Sequence, residues 1–431
     1  MAAESSAMIR DVRHQDEKQG DVKMSNDNIG KMSVEFHRKN KGKLGVISKV
    51  DCKSSEGLSL AYTPGVAEVC REIVKNPDSV YEMTCKWNTV AVVSDGTRVL
   101  GLGNIGPVAG LPVMEGKAVL FKSYGAIDAF PICLACKNEE EIVQTVKNIS
   151  PSFGGINLED IESPKCFSVE KRLIEELNIP VFHDDQHGTA VVALAGLINA
   201  LKLVKKGKNA KIVVSGAGAA GVAIVKLLYS AGFSDIIVCD SSGIIVDSKK
   251  LPLYKREIAK ITNRKGARGN LSDALEGADV FIGVSAPNII GAKDVMRMAK
   301  KAVVFALSNP IPEIAPDEAK RAGVAIFGTA RSDLPNQVNN VLGFPGIFRG
   351  ALLVRAKKIS EGMKLAAVYA LAGCIPESEL KNERILPLPF EKGVARKVAT
   401  AVALEAQRTG DARLKMDEAE IAIELAKLGI D

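Results

Sequence analysis

Lys211-Ile212-Val213-Val214-Ser215-Gly216-Ala217-Gly218-Ala219-Ala220-Gly221 is the stretch from which the fold of this chain is read. The β-branched run Lys211–Ser215 predicts a strand, and it runs straight into three glycines with the spacing of a G-x-G-x-x-G turn. A helix is predicted over Val222–Ser230, stopped at Gly232, followed by a second strand over Asp235–Asp240. Each glycine has a physical use: Gly216 for the tight turn, Gly218 for close approach of backbone to a pyrophosphate, Gly221 for packing of helix on strand. The helix start supplies free N–H groups and a partial positive charge that suit phosphates. Asp240 ends the second strand about 20 residues past the glycines, where a carboxylate binds ribose hydroxyls.

A bare glycine pattern is weak, because a Gly- and Ala-rich turn can be a purely structural connection. Here strand, glycines, helix, second strand and terminal acid coincide. The reading is a Rossmann-type dinucleotide site formed by Gly216, Ala217, Gly218, Ala219, Ala220, Gly221 and Asp240. The negative charge of Asp240 disfavours a 2′-phosphate, and Ser241-Ser242-Gly243 offers no cation, so NAD is favoured over NADP. Lys249 and Lys250 follow soon after and keep NADP open, since they could fold back to neutralise a 2′-phosphate.

Working outward, apolar β-branched runs alternate with helical patterns on both sides of this stretch. Strands are predicted at Thr89–Asp95, Asp128–Ala135, Gly155–Asp160 and Ile179–Asp185, then at Ala278–Ser285, Ala302–Ser308 and Val324–Thr329. Amphipathic helices fall at Glu139–Ile149 and Ser168–Leu177, and Gly188–Val204 reads as a buried connector. Strand–helix–strand order implies parallel sheets with right-handed crossovers. The fold class is therefore α/β with two parallel-sheet domains, the second of Rossmann type, and a helical C-terminal tail. The divisions expected are a flexible tail over 1–30, a catalytic domain over 31–205, a dinucleotide domain over 206–360, and C-terminal helices over 361–431 that pack back on the core or join subunits.

The totals fit an ordinary globular protein: 431 residues, 46% hydrophobic and 25% charged. A formal charge of +6 spread among interleaved acids and bases, with only 5% aromatics, argues against a nucleic-acid binder. The eight cysteines lack a disulfide-like spacing, which suits a reducing compartment. Cys133 and Cys136 form a CxxC within an apolar run rather than at a helix start, so they are expected to be buried free thiols. No apolar stretch reads as long and uninterrupted enough for a membrane span, and the acid-bearing N-terminus matches neither a signal nor a transit peptide. The cytoplasm is the expected compartment.

Two of the strands end in acid pairs, Glu159-Asp160 and Asp184-Asp185. In a parallel sheet all carboxyl ends lie on one edge, where ligands bind. Two acid pairs there repel unless a cation lies between them, and oxygen ligands suit a hard divalent ion such as Mg²⁺ or Mn²⁺. The alternative for Asp185 alone is a cap for the helix that follows. His183 and His187 flank the second pair without a cysteine, so structural roles are expected rather than zinc binding. Upstream, Gly101, Gly103 and Gly106 mimic a dinucleotide turn but lack the strand–helix–strand context, so they read as a substrate-side loop. Arg98 can fork onto a carboxylate or form a surface ion pair. Lys117 precedes the apolar Ala118-Val119-Leu120-Phe121, where a lysine can have a lowered pKa and act as a base or can simply snorkel. Tyr62 precedes a turn and alone would pass as a packing residue.

Taken together, these segments resemble the malic enzymes, in their shorter bacterial-type form. The matching stretches are LSLAYTPGVAEVC, SDGTRVLGLGNIGP, LPVMEGKAVLFK, GINLEDIESPKCF, IPVFHDDQHGTA, VVSGAGAAG, ALSNPIPEI and RSDLPNQVNNVLGFPGIFRGAL, in family order over almost the whole chain. The resemblance implies divalent-metal-dependent oxidation and decarboxylation of malate to pyruvate and CO₂ with reduction of NAD or NADP. It makes Glu159, Asp160 and Asp185 the metal ligands, Lys117 the general base, Asp184 its electrostatic support and Tyr62 the general acid. Arg98, Asn309 and Asn340 become substrate-side contacts, and Ser285 and Asn309 join the cofactor set. A homodimer is implied, and it is also the commonest closed assembly. Val108, Gly110, Leu334 and Gly346 depart from the family pattern and are expected to flank the substrate pocket. No appended acyl-transferase-like domain is expected. Two rival readings are a metal-free amino-acid dehydrogenase, which leaves the acid pairs unexplained, and a non-catalytic dinucleotide sensor, which has no need of Lys117 and Tyr62.

Overall fold

The structure, a computed structural model, describes residues 26 to 430. Residues up to Gly45 and those from Val46 onward form separate units. In the first, helix α1 (Asn26–Asn40) begins inside the stretch expected to be a flexible tail, so residues 26–30 are helical. The rest of that expected tail lies outside the described residues.

The second unit opens with helices α2 (Ser55–Ala61) and α3 (Val66–Lys75), neither of which buries a residue. The first sheet then alternates strands and helices: β1 (Thr89–Ser94), α4 (Gly106–Gly125), β2 (Asp128–Cys133), α5 (Glu139–Ile149), β3 (Gly155–Leu158), α6 (Lys165–Glu176) and β4 (Val181–His183). Its order is β2-β1-β3-β4, all parallel. Every residue of β1 and β3 is buried, as expected of parallel strands covered on both faces. Leu158 stands opposite His183, so the acids that follow β3 and β4 leave the sheet side by side.

Helix α7 (Asp184–Val204) leads to the second sheet. It is 21 residues long with a mean hydropathy of 1.5, enough in length and composition to cross a membrane, contrary to the expectation that no stretch would qualify. Most of its side chains are instead buried, packed against helix α8 (Ala219–Ser230) and a later helix over Glu361–Ala372. The second sheet contains β5 (Ile212–Ser215), β6 (Ile236–Asp240), β7 (Gly243–Ile244), β8 (Val280–Gly283), β9 (Val303–Ala306) and β10 (Ile326–Thr329). The order is β10-β9-β8-β5-β6-β7, parallel throughout except for the two-residue β7. That is the doubly wound order of a Rossmann fold, with its topological switch point between β5 and β8.

Four helices follow: α9 (Phe344–Leu353), α10 (Glu361–Ala372), α11 (Val394–Arg408) and α12 (Glu418–Lys427). Their apolar faces pack back on one continuous core that includes Val90 and Val92 of the first sheet, Ile212 and Val214 of the second, and the buried side of α7. Phe121 of α4 meets Phe344 and Phe348 of α9 edge to face, with ring centroids 4.7 and 5.2 Å apart.

Gly346, expected near the substrate pocket, belongs instead to the α9–α11 contact, where a Cβ would lie 2.8 Å from Val398. Gly350 sits one turn on, and a Cβ there would lie 2.3 Å from the carbonyl oxygen of Ala399. Because that neighbour is helix backbone, Gly350→Ala is expected to force α9 and α11 apart and to cost about 1–3 kcal/mol. Urea unfolding of the two forms checks this; an unchanged midpoint would show that the helices separate freely.

Candidate active site

The acid pairs and Lys117 come together at the carboxyl edge of the first sheet. Lys117 lies in α4, which begins at Gly106, so the lysine occupies the fourth turn. Its side chain is 7% exposed, and Nζ lies 2.8 Å from Glu159 Oε1 and 2.5 Å from Asp184 Oδ2. The ammonium also stands 4.4 Å from the centroid of the Phe344 ring. Burial pushes the ammonium toward neutrality, but Asp184 and Glu159 outweigh it and hold the pKa above the ordinary lysine value. The lowered pKa that the apolar sequence context allowed is therefore reversed by partners just after β3 and on α7 that the local sequence does not show.

Asp184 and Asp185 form the first turn of α7 rather than the end of β4. Asp184 also accepts a hydrogen bond from Asn340 Nδ2, which draws Asn340 into the cluster. Gly188 leaves room for this carboxylate, since a Cβ there would sit 1.9 Å from Asp184 Oδ1. Asp185 makes no cap; its Oδ2 accepts the Asp160 N–H at 2.8 Å and lies 3.3 Å from His183 Nε2. His183 and His187 hold structural places, His187 through a 3.0 Å contact with Glu170. Glu170 also accepts from the His183 N–H at 2.8 Å and from Gln186 at 2.9 Å, which fixes the β4–α7 junction.

Glu159, Asp160 and Asp185 present carboxylate oxygens that all lie within 4.8 Å of one another, the one such group of potential metal ligands among the described residues. Burial, and then the charges of the neighbouring acids, push the Glu159 carboxyl well above its usual range despite Lys117. Burial and the adjacent Asp185 push Asp160 up to about 7. Asp185 is held below its usual range, chiefly by His183, against the pull of burial. Asp160 Oδ2 is buried with no hydrogen-bond partner. Four carboxylates around one lysine, with an orphaned oxygen among the three clustered acids, fit a hard divalent cation.

Arg98 reaches the same edge, since its N–H donates to the Asp160 carbonyl at 3.0 Å while its exposed guanidinium has no partner among the described residues. Its loop is anchored by Asp95, whose carboxylate takes Lys165 at 2.5 Å and the Thr97 hydroxyl at 2.6 Å. The Gly101 loop touches the second sheet, where a Cβ on Gly101 would lie 3.1 Å from the Asn309 carbonyl. Tyr62 is not brought into this group. It follows α2, is 66% exposed, and its phenol has no hydrogen-bond partner among the described residues. Of the four departures from the family pattern, Val108 is 85% exposed on α4 and Gly110 is buried against Val99. Cys133 and Cys136 are free and only partly buried, rather than fully buried as expected, and burial still raises both thiols.

At the switch point, Gly216 adopts φ +112, a conformation that favours glycine, and a Cβ there would lie 2.6 Å from the Val284 carbonyl. Gly218 is the N-cap of α8 and has no atom nearer its Cβ position than Ser163 Oγ at 3.8 Å, which leaves room for a phosphate. Asp240 accepts the Ser242 N–H at 2.8 Å and pairs with Lys255 at 2.6 Å. Lys255, from the helix Leu253–Ala259, is thus the lysine beside Asp240, rather than Lys249 or Lys250. Only its nearness in sequence to Asp240 hinted at this.

Sheet order, glycine turn and acid-lined edge define a class, the dehydrogenases built around a Rossmann-type dinucleotide domain. Residues 40–174 match the family description "Malic enzyme, N-terminal domain", and residues 186–407 match "Malic enzyme, NAD binding domain". The chain is 54% identical to the bifunctional malic/malolactic enzyme of Bacillus subtilis over 92% of its own length and 98% of that protein. It is 56% identical to the NAD-dependent malic enzyme of Geobacillus stearothermophilus, over 86% and 78% of the two chains. The solved malic enzyme of Pyrococcus horikoshii superposes with a TM-score of 0.89 at 49% identity, covering 93% of this chain and 95% of that one. The chain belongs to the malic enzyme family.

Proposed function

We infer that this chain oxidises and decarboxylates L-malate to pyruvate and CO₂ while reducing NAD or NADP. The observation that carries the reading is the meeting of Lys117 with Glu159, Asp160, Asp184 and Asp185 at one sheet edge, in a chain of this family. Glu159, Asp160 and Asp185 would hold Mg²⁺ or Mn²⁺, whose Lewis acidity would acidify an alcohol and polarise a carbonyl. A divalent cation on Glu159 would weaken that acid's hold on the ammonium, and Lys117, once deprotonated, takes the proton of the C2 hydroxyl as hydride leaves C2 for the nicotinamide. Asp184, in contact with Nζ, stabilises the ammonium that results. Arg98 pairs with a substrate carboxylate beside Asp160, and Asn340 orients Asp184 and meets the substrate. Purified chain is expected to reduce the dinucleotide with L-malate and not with amino acids; the reverse preference would favour the metal-free amino-acid dehydrogenase.

Asp240, negative and on the ribose side, makes NAD the preferred dinucleotide, and Lys255 moderates that preference by neutralising the acid. Lys255→Gln is expected to lower kcat/KM for NADP relative to NAD by about tenfold, the scale of one charge-assisted contact. Measuring both dinucleotides in one assay checks this, and an unchanged ratio would remove Lys255 from specificity.

The chain works as a homodimer in this reading. Val46, Ile47, Leu60 and Val74 are 88, 80, 72 and 81% exposed, apolar side chains that favour a protein interface over open water. Tyr62 is exposed in the same stretch of sequence, so its role as general acid depends on what covers it. Eight free cysteines suit the cytoplasm.

A further inference from the structure

Glu313 is a buried carboxylate without a part in the chemistry described so far. It is 0% exposed, and among the described residues no Lys, Arg or His pairs with it. Its two oxygens are used on backbone: Oε1 accepts the Ser285 N–H at 3.0 Å and Oε2 accepts the Ser308 N–H at 2.9 Å. Ser285 belongs to the loop after β8 and Ser308 to the loop after β9, which are neighbouring parallel strands. Burial pushes the Glu313 carboxyl up, and the backbone donors only partly reverse it. Gly283, at the end of β8, makes the space, because a Cβ there would lie 2.5 Å from Glu313 Cδ.

Both loops reach the dinucleotide crevice. The Ser285 hydroxyl lies 3.1 Å from that of Ser215, which immediately precedes the glycine turn. Asn309, next to Ser308, abuts Gly101 on the loop that carries Arg98. An apolar side chain would fill this volume without the cost of burying a charge, but it would leave two backbone donors unpaired. A carboxylate offers two acceptors at this spacing, whereas the isosteric glutamine offers one acceptor and one donor.

We propose that Glu313 is a positioning residue for the dinucleotide, holding the β8 and β9 loops so that Ser285 and Asn309 face its nicotinamide end. The proposal rests on dinucleotide binding at this crevice. Glu313→Gln turns a donor toward one backbone N–H, and Gly283→Ala displaces the carboxylate without removing it. Each is expected to raise KM for the dinucleotide about tenfold, equivalent to about 1.4 kcal/mol, while kcat and the KM for malate stay within about twofold. A folded variant with an unchanged dinucleotide KM, or with both KM values rising together, would overturn the proposal. Should neither variant fold, hydrogen exchange on the wild type decides. NAD alone is expected to slow exchange in 284–290 and 307–313, and unchanged exchange in both segments would overturn it. A wild type that binds NAD at these segments but never oxidises malate would count against the malate reading and leave this one standing.

Discussion

Lys117→Met is expected to lower kcat for malate oxidation by about a thousandfold, within the range for loss of a positioned base. Methionine fills much of the lysine's volume against Phe344 but can neither accept a proton nor offset charge. The substitution also strips Glu159 and Asp184 of their cation, and removing one partner of a buried ion pair costs about 3–5 kcal/mol. The kinetic result therefore has to be read beside a melting curve and a dinucleotide titration. The glycine turn and Asp240 belong to the second sheet, so NAD affinity is expected to be retained. Turnover within about tenfold of the wild type in a folded variant would remove Lys117 from the chemistry.

Asp185→Asn is the second large effect. The amide oxygen can still accept the Asp160 N–H, so the β3–β4 edge keeps its shape, but one of three anionic ligands is lost. Apparent affinity for Mn²⁺ is expected to fall roughly a hundredfold by calorimetric titration, and turnover at low metal should fall with it. In the wild type, exhaustive chelation should abolish turnover and added Mn²⁺ restore it; malate oxidation indifferent to both would refute the metal reading. The same acids set a pH signature. The Asp160 carboxyl stands at about 7 in the folded chain, above its unfolded value near 4, so the folded state binds the proton more tightly. Stability of the metal-free chain from this group is present below the unfolded value and is lost as pH rises through about 7. Added Mn²⁺ should flatten that loss.

The dinucleotide half was legible in the sequence because its signal is local: strand, glycines, helix and acid follow within thirty residues or so. The two-residue β7 was not, since a strand that short leaves no periodicity to read. The start of helix α4 at Gly106 is not legible because Gly106, Pro107, Gly110 and Pro112 are loop-type residues, yet buried Met114, Ala118 and Phe121 anchor it against the core. The acid pairs were found in sequence as strand ends; the pairing of Leu158 with His183 is what makes them neighbours. The state of Lys117 could not be read, because the two carboxylates that keep it charged come from other elements. Lys255 and Glu313 were missed for the same reason, as each acts on an atom brought near only by the sheet.

The central claim joins hydride transfer to loss of CO₂, and the most direct test is product stoichiometry. Purified chain given L-malate, Mn²⁺ and NAD or NADP is expected to form pyruvate and CO₂ in equal amounts to the reduced dinucleotide. Reduction accompanied by oxaloacetate without CO₂, or no reduction at all, would contradict the account.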